Sequence, residues 1–404
     1  MTEKESALHS QYIIDGIKCD TTPAELLAEC SEEAMEPADE GRAYGDIIDE
    51  STDPPVTSFI YDEAKIQEYI DACSEAGTGE RPFRMLYPDA FTRQRIARTL
   101  TDRLWNKGHY RLCDLRIWGK WSWNTRPLGN MAAFYLSVES ASSYLFDLGV
   151  KLSGYVFEEA DGDSHAQFYS WLPDRNETEE EGGDEFIFKE SPFESHNPWI
   201  GEERKCSATL VQEEASTIIY IPFDTCSYRI GGSLLAQLQG HNGGIGPHIK
   251  DPDYFIDCFE VVRELVEDGI VIADIQSSFR KFALLTPEDG IVIAGATVAD
   301  GGLATAAASM CGDCGMALDI HGLMASHQES DQVKILFGET PGVLLQIRDN
   351  DMDYLDSQLL LQDVAYYPVG QPCREKGLHF SPTDRSGVAG ILASLMGQAS
   401  EGED

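Results

Sequence analysis

The chain has 404 residues, of which 42% are hydrophobic and 25% charged, and its 70 acidic side chains against 30 basic ones give a formal charge of −40. That hydrophobic content excludes general disorder, and the length allows two domains at roughly 100–200 residues each. The charge opposes binding along a phosphate backbone or an anionic lipid surface, so neither nucleic acid nor membrane is expected as a main partner.

No apolar run approaches the roughly 20 residues needed to cross a bilayer, and the start "MTEKESALHSQY" has no hydrophobic signal core, so a cytoplasmic location is expected. Ten scattered cysteines fit reduced thiols better than a disulfide framework. Cys311-Gly-Asp-Cys314 is the one C-x-x-C; a zinc site would need a second ligand pair, and His321 and His327 stand at no common metal spacing.

Residues 1–80 are acidic and broken, as in "AECSEEAMEPADEGRAYGDIIDESTDPP", and read as an extension with one helix around Ala64–Cys73. From Phe91 to Trp105, apolar residues at 91, 96, 97, 100 and 104 predict an amphipathic helix. Its other faces carry Arg93, Arg95, Arg98 and Arg103, either as a solvated face of a very acidic protein or as a basic patch for phosphates or an acidic partner. "YRLCDLRIWGKWSW" predicts an aromatic-rich strand, and the segment from Gly129 predicts a helix ending near Gly149 and then a short strand. Residues 174–204, with "DRNETEEEGGDEF", are too polar for a core and read as an exposed insertion.

The strand "STIIYIPF" opens a region of regular α/β alternation. There "DPDYFIDCFEVVRELVEDG" puts Tyr254, Phe255, Cys258, Phe259, Val262, Leu265 and Val266 on one helix face, closed by Gly269. A strand "IVIADI" follows; the pentapeptide GIVIA at 269–273 recurs at 290–294, though two copies do not make a repeat architecture. The second copy runs into Asp300-Gly301-Gly302 and an alanine-rich segment. A strand passing through glycines into a helix gathers backbone N–H groups and a helix dipole at one point, which suits a phosphate. The alternative makes Asp300 an N-cap of a helix starting near Leu303, the glycines serving the turn. Further on, "VKILFGETPGVLLQIRDNDMDYLDSQLL" reads as a strand and then a short helix, and the tail "GQASEGED" as mobile.

The order of "YRIGGSLLAQLQG", the helix after Asp253, "VIAGATVADGGLATAAASMCGDCGMALDI", "ILFGETPGVLLQI" and "VAYYPVGQP" resembles the last domain of formylglycinamidine ribonucleotide synthetase, in the aminoimidazole ribonucleotide synthetase-like (PurM-like) superfamily. Upstream, "TLTDRLW" and "LRIWGKWSW" are similar to the family's "ALTNIAA" helix and "IKLSANWM" strand, so the resemblance covers about residues 90–390, the second of that enzyme's two duplicated halves. It implies an α/β (α+β) fold: a PurM-like N-terminal sheet subdomain over 81–212, carrying the 174–204 insertion, and a C-terminal α/β subdomain over 213–392, between the extension and an acidic tail at 393–404. It also implies a role in purine biosynthesis as an ATP-dependent amidoligase half or subunit, with ATP or ADP and Mg2+ as cofactors. The partners implied are a second copy in a homodimer or a second PurM-like half, with a glutaminase subunit supplying ammonia, since the chain has no glutaminase cysteine elbow of its own.

Where the chain departs from the family, the chemistry is weakened. In the helix motif "EALTN" the glutamate position falls on Arg98 and the asparagine position on Asp102, the one metal-ligand candidate left there; magnesium demands hard oxygen ligands, which Arg98 is not. In "HDRSDGG" the histidine and first aspartate fall on Ala296 and Thr297, and "GKDS" is replaced by "GYVFEE" from Gly154 to Glu159. Candidates for nucleotide or phosphate binding are therefore Gly231, Gly232, Ser233, Asp300, Gly301, Gly302 and Glu339, all of which also suit turns and helix starts. Lys250 joins them after the glycine-rich "GGIGPHIK", without P-loop spacing. The nucleotide and metal can have been lost, leaving a non-catalytic structural or regulatory protein that keeps the fold and its dimer surface.

Overall fold

The computed structural model describes residues 7–31, 63–76, 81–173, 204–212, 215–241, 244–267 and 290–380. The strand read at 270–275, the first GIVIA copy, the 393–404 tail and all but the last residue of the 174–204 insertion lie outside them.

The stretch read as an extension opens with a two-residue hairpin, β1 (Ile13–Ile14) and β2 (Ile17–Lys18), and continues into α1 (Pro23–Glu29) and α2 (Glu63–Ala76). Thr22 starts α1 with a reciprocal capping box to Glu25, and Pro23 follows at the first helical position. These segments are anchored in the fold rather than merely solvated: Leu27, Cys30, Ile66, Ile70 and Cys73 are all buried. The helix expected around Ala64–Cys73 is α2, and its apolar stripe of Ile66, Ile70 and Cys73 at helical spacing is what anchors it while acidic residues fill the other faces.

Pro88 begins α3 (Pro88–Thr101), which continues as a 3-10 turn over Asp102–Trp105. The five apolar positions expected to face inward, 91, 96, 97, 100 and 104, are all buried. Next come β3 (Arg116–Trp123), α4 (Asn130–Asp147), β4 (Lys151–Glu159) and β5 (His165–Trp171). They form a three-stranded sheet in the order β4-β3-β5, with β3 parallel to β4 and antiparallel to β5. Helices α3 and α4 cover it. Buried hydroxyls join the layers: Thr92 and Ser137 meet at 2.8 Å, and the Trp121 indole N–H donates to Ser137 at 3.0 Å.

The larger sheet has six strands in the order β11-β8-β10-β6-β9-β7: β6 (Ser216–Pro222), β7 (Val292–Val298), β8 (Gly315–Leu318), β9 (Gly342–Arg348), β10 (Tyr367–Cys373) and β11 (Leu378–Phe380). All of its neighbours are antiparallel except β11 and β8. The central strands β6 and β9 read as continuous apolar runs because both faces are covered. Period-two alternation then splits them between two cores: Ile219, Ile221, Val343 and Leu345 face one, and Ile218, Tyr220 and Leu344 the other.

The first core continues without a break to the three-stranded sheet through α6 (Pro252–Glu267). Six of the seven residues expected on the inner face of α6 are fully buried, and Tyr254 is half-buried. Each such side chain contributes about 1.5–3 kcal/mol of transfer free energy before entropy is counted. The second core holds α2, α5 (Leu234–Leu238), α7 (Gly302–Met310), α8 (His321–His327) and α9 (Gln332–Phe337). Helix α10 (Met352–Leu361) follows β9. The segment "VKILF", read as part of a strand, is α9, started by an Asp331 cap on the Val333 N–H; the strand begins only after the Pro341 turn.

Candidate functional site

The turn from β7 into α7 faces the middle of α3 across a cleft lined by Arg81, Phe91, Gln94, Arg95, Arg98, Val298, Ala299, Asp300, Glu339 and Pro341. Three separated parts of the sequence meet there: the segment before α3 with α3 itself, the Asp300-Gly301-Gly302 turn, and the loop between α9 and β9 that carries Glu339.

The turn is built on left-handed backbone. Gly301 (φ 82°) is the helix cap and Gly302 (φ 70°) begins α7, so the cap expected of Asp300 falls to Gly301. A Cβ on Gly302 would stand 2.7 Å from both the Leu336 carbonyl oxygen and the Phe337 Cα, which excludes any side chain there. The Asp300 carboxylate is thereby freed for other contacts. Its Oδ1 accepts from Arg81 Nη1 and its Oδ2 from Arg98 Nη1.

Glu339 is 4% exposed. Its Oε1 accepts from the backbone N–H of Gly301 at 2.9 Å and of Leu234 at 2.7 Å, so one carboxylate oxygen serves the starts of two helices, α7 and α5. Its Oε2 accepts from Arg81 Nη1 at 3.0 Å. Arg81 completes its contacts by donating from Nη2 to the Gly232 carbonyl at 2.8 Å, while its Nε, also buried, has no partner among the described residues. Burial works against the Arg81 charge, but Glu339 and Asp300 outweigh it and raise its pKa. Burial likewise pushes the Asp300 carboxyl up, and Arg81, Arg98 and Arg95 together more than reverse this and hold it below the ordinary carboxylate value.

The four arginines of the α3 region all turn toward the protein. Arg98 binds Asp300, Arg93 donates to the Ile249 carbonyl at 3.2 Å, and Arg103 Nε donates to Ser170 Oγ at 2.9 Å. Arg95 lies over the Phe91 ring at 4.8 Å and lines the cleft, where burial lowers its pKa to about 10. The solvated-face reading of this helix is therefore replaced by a half-buried basic face.

The other sequence candidates fall around this cleft or outside it. Gly231 supports the turn before α5, where an added Cβ would stand 2.3 Å from the Ile245 carbonyl oxygen, and Ser233 caps α5 by accepting from Ala236 N at 3.2 Å. Lys250 does not line the cleft: its backbone N–H donates to buried Asp224 at 2.9 Å and its side chain is exposed. Asp102 starts the 3-10 turn after α3 and does not line the cleft, and the Thr297 hydroxyl accepts from the Trp105 indole N–H at 3.0 Å. Sequence reasoning missed Arg81, Gln94 and Arg84. Gln94 donates to the Glu339 carbonyl at 2.6 Å, and the Arg84 guanidinium donates to the Gly244 carbonyl.

A magnesium–nucleotide site does not fit these residues. The two carboxylates of the cleft are already paired with guanidiniums, Asp300 with Arg81 and Arg98 and Glu339 with Arg81, whereas magnesium needs free hard oxygen ligands. Among the described residues, no three His, Cys, Asp or Glu side chains are gathered as a metal would require.

The fold and cleft define a mixed α+β protein with a six-stranded and a three-stranded sheet besides the small β1–β2 hairpin, and a cleft at a helix start. No family model matches the chain. In sequence it is similar to the probable phosphoribosylformylglycinamidine synthase, chloroplastic/mitochondrial, of Arabidopsis thaliana, 24% identical over 347 residues that cover 81% of this chain and 21% of that protein. The human phosphoribosylformylglycinamidine synthase is also 24% identical, over 344 residues and the same shares. Among solved structures, PurLQS from Thermotoga maritima superposes with a TM-score of 0.49 at 10% identity, covering 75% of this chain and 40% of that one. T. maritima PurL complexed with FGAR gives 0.49 at 10% identity over 79% and 48%.

The resemblance read from the motifs is thus borne out: over 81% of its length the chain is similar in sequence to phosphoribosylformylglycinamidine synthases. The chain spans about a fifth of the length of the curated relatives it matches. No helix of the described residues is long and apolar enough to cross a membrane.

Proposed function

We propose that this protein is a phosphoribosylformylglycinamidine synthase-related half whose metal–nucleotide site has been replaced by an internal ion-pair network. It would act as a structural or regulatory partner and not as an ATP-dependent carbon–nitrogen ligase. One observation carries the reading: Arg81 bridges Asp300 and Glu339 while Arg98 takes the second oxygen of Asp300. A divalent cation entering there would have to displace two guanidiniums from the carboxylates it needs, and would then sit beside their uncompensated charge. Thr297, at the position of a family aspartate, supports the same reading because its hydroxyl is engaged by the Trp105 indole.

The surface such a half would keep is the one that pairs with a second PurM-like half, in another copy of this chain or in a longer synthase, with a glutaminase subunit belonging to that assembly. The ligase reading draws on relatives: T. maritima PurL has been solved complexed with ATP, AMPPCP and ADP. Titration calorimetry with ATP and ADP, with and without magnesium, separates the two. The degenerate half gives no magnesium-dependent heat, whereas saturable, magnesium-dependent binding in the micromolar range would overturn it.

A further inference from the structure

The two cores meet at Arg81. On its C-terminal side the chain enters the first core at once: Phe83 is buried with its ring 5.1 Å from Phe91 and 4.7 Å from Trp123, and its N–H donates to the Ser164 carbonyl at 2.6 Å. His165 Nδ1 stands 3.0 Å from the Arg81 carbonyl, so the backbone is pinned to the start of β5 from this residue onward. Pro82 restricts the backbone at that boundary. On the N-terminal side lies α2, which belongs to the second core.

Helix α2 is lightly held for its length. Of its 14 residues only Ile66, Ile70 and Cys73 are buried, whereas six of the nine residues of α7 beneath it are. It rests on α5 and α7, with Tyr69 edge-on to Phe337 at 5.8 Å and Cys73 covering Gly301, where an added Cβ would stand 3.1 Å from the Cys73 Cβ. A helix this short is marginal in water by itself, so its order depends on that contact and on what closes its end. Arg81 closes it, through Asp300, Glu339 and the Gly232 carbonyl. Both carboxylates have other partners besides: Arg98 for Asp300, and the N–H groups of Gly301 and Leu234 for Glu339. The frame around the cleft therefore keeps its own contacts when Arg81 leaves.

We propose that α2 and Arg81 form a latched arm that opens as one unit from α5 and α7 while the rest of the fold stays closed, the Arg81 ion pairs being the latch. The arm is an internal cover: closed, it hides the Gly301 turn and the Glu339 carboxylate, and open, it presents them. This goes beyond the loss of the metal site and does not depend on it. Cys73 reports the motion, because it is 0% exposed and its thiol is pushed up to about 12, by burial and then by Glu339, so a reagent reaches it only from the open arm.

The test is pulsed alkylation of the full chain in native buffer, with Cys73, Cys258 and Cys314 followed separately by mass spectrometry. Cys258 lies buried in the first core and Cys314 in the second. In the wild type Cys73 is expected to react at least ~10-fold faster than either, with a shallower dependence on urea because local opening exposes less surface. Arg81→Gln and Ile70→Ala should each speed Cys73 by a further ~10-fold or so, since both remove contacts that the open arm lacks. Arg263→Met, on α6, should speed Cys258 and Cys314 but leave Cys73 unchanged, since the Arg263 contacts persist in the open arm. Thermal melts show that each variant is folded, and the wild-type rates and urea slopes need no variant. Wild-type Cys73 reacting no faster than Cys258 and Cys314 would mean that the arm opens only by global unfolding and overturns the inference. A Cys73 rate untouched by Arg81→Gln, or raised by Arg263→Met as much as the other two, overturns it as well.

Discussion

Arg81 Nη1 and Glu339 Oε2 stand 3.0 Å apart although 258 positions separate the residues, and both side chains are 4% exposed. The same guanidinium nitrogen reaches Asp300, so one cation joins the segment before α3 to both loops that open the cleft. Removing one member of such a pair exposes the full desolvation cost of the other, about 3–5 kcal/mol.

Glu339→Gln keeps an oxygen for the N–H groups of Gly301 and Leu234 but removes the charge facing Arg81. The expected loss is about 2–3 kcal/mol, and Glu339→Ala should lose more because both helix starts are then unsatisfied as well. Urea denaturation of the two variants checks the order.

Arg263 is a second buried cation, remote from the cleft. It donates to the Leu104 carbonyl at 2.6 Å and to Glu267 at 2.6 Å, and lies over the Tyr110 ring at 4.3 Å. Arg263→Met preserves bulk but strands Glu267 and the carbonyls of Leu104 and Gly108, so a loss of about 3 kcal/mol is expected in denaturant melts.

The Asp300 pKa is lowered in the folded protein, so its contribution has a definite sign. Stabilisation by Asp300 is fully present above the ordinary carboxylate value of about 3.9 and is lost as pH falls through the lower folded-state value. Wild type should therefore lose more stability than Asp300→Asn between pH 7 and pH 3. Equal acid slopes for the two proteins would remove the paired carboxylate from the account.

Gly302→Ala combines a left-handed backbone with a Cβ 2.7 Å from the Leu336 carbonyl oxygen. A destabilisation of about 2 kcal/mol or more is expected, far beyond the few tenths typical of a surface substitution. Differential scanning calorimetry would register it as a lower Tm.

Much of this fold is legible in the residues themselves. Apolar spacing located α3 and α6 and the residues they bury, and the apolar run of β6 marked a strand. Asp300, Gly301, Gly302 and Glu339 were singled out by motif order and do converge on one cleft. Arg81 was not, because "GERPF" has no periodicity and its partners lie 219 and 258 positions away, a tertiary fact. The available signal was charge balance: two carboxylates without their metal need cations, and Arg98 alone cannot neutralise both. The helix at "VKILF" was hidden by a β-branched apolar run, which local propensity reads as a strand until Asp331 caps it. Of the two roles open to Asp300 in the sequence, helix cap or part of a ligand site, the cap falls to Gly301 because the turn is left-handed, and the carboxylate faces the arginines.

The central claim, that guanidiniums have taken the place of a divalent metal, is tested most directly by manganese binding followed through its paramagnetic resonance, in wild type and in Asp300→Asn. On a chain of charge −40, weak scattered binding that is identical in the two proteins is the expected result. One tight manganese per wild-type chain, lost in Asp300→Asn, would contradict it and return the cleft to metal chemistry.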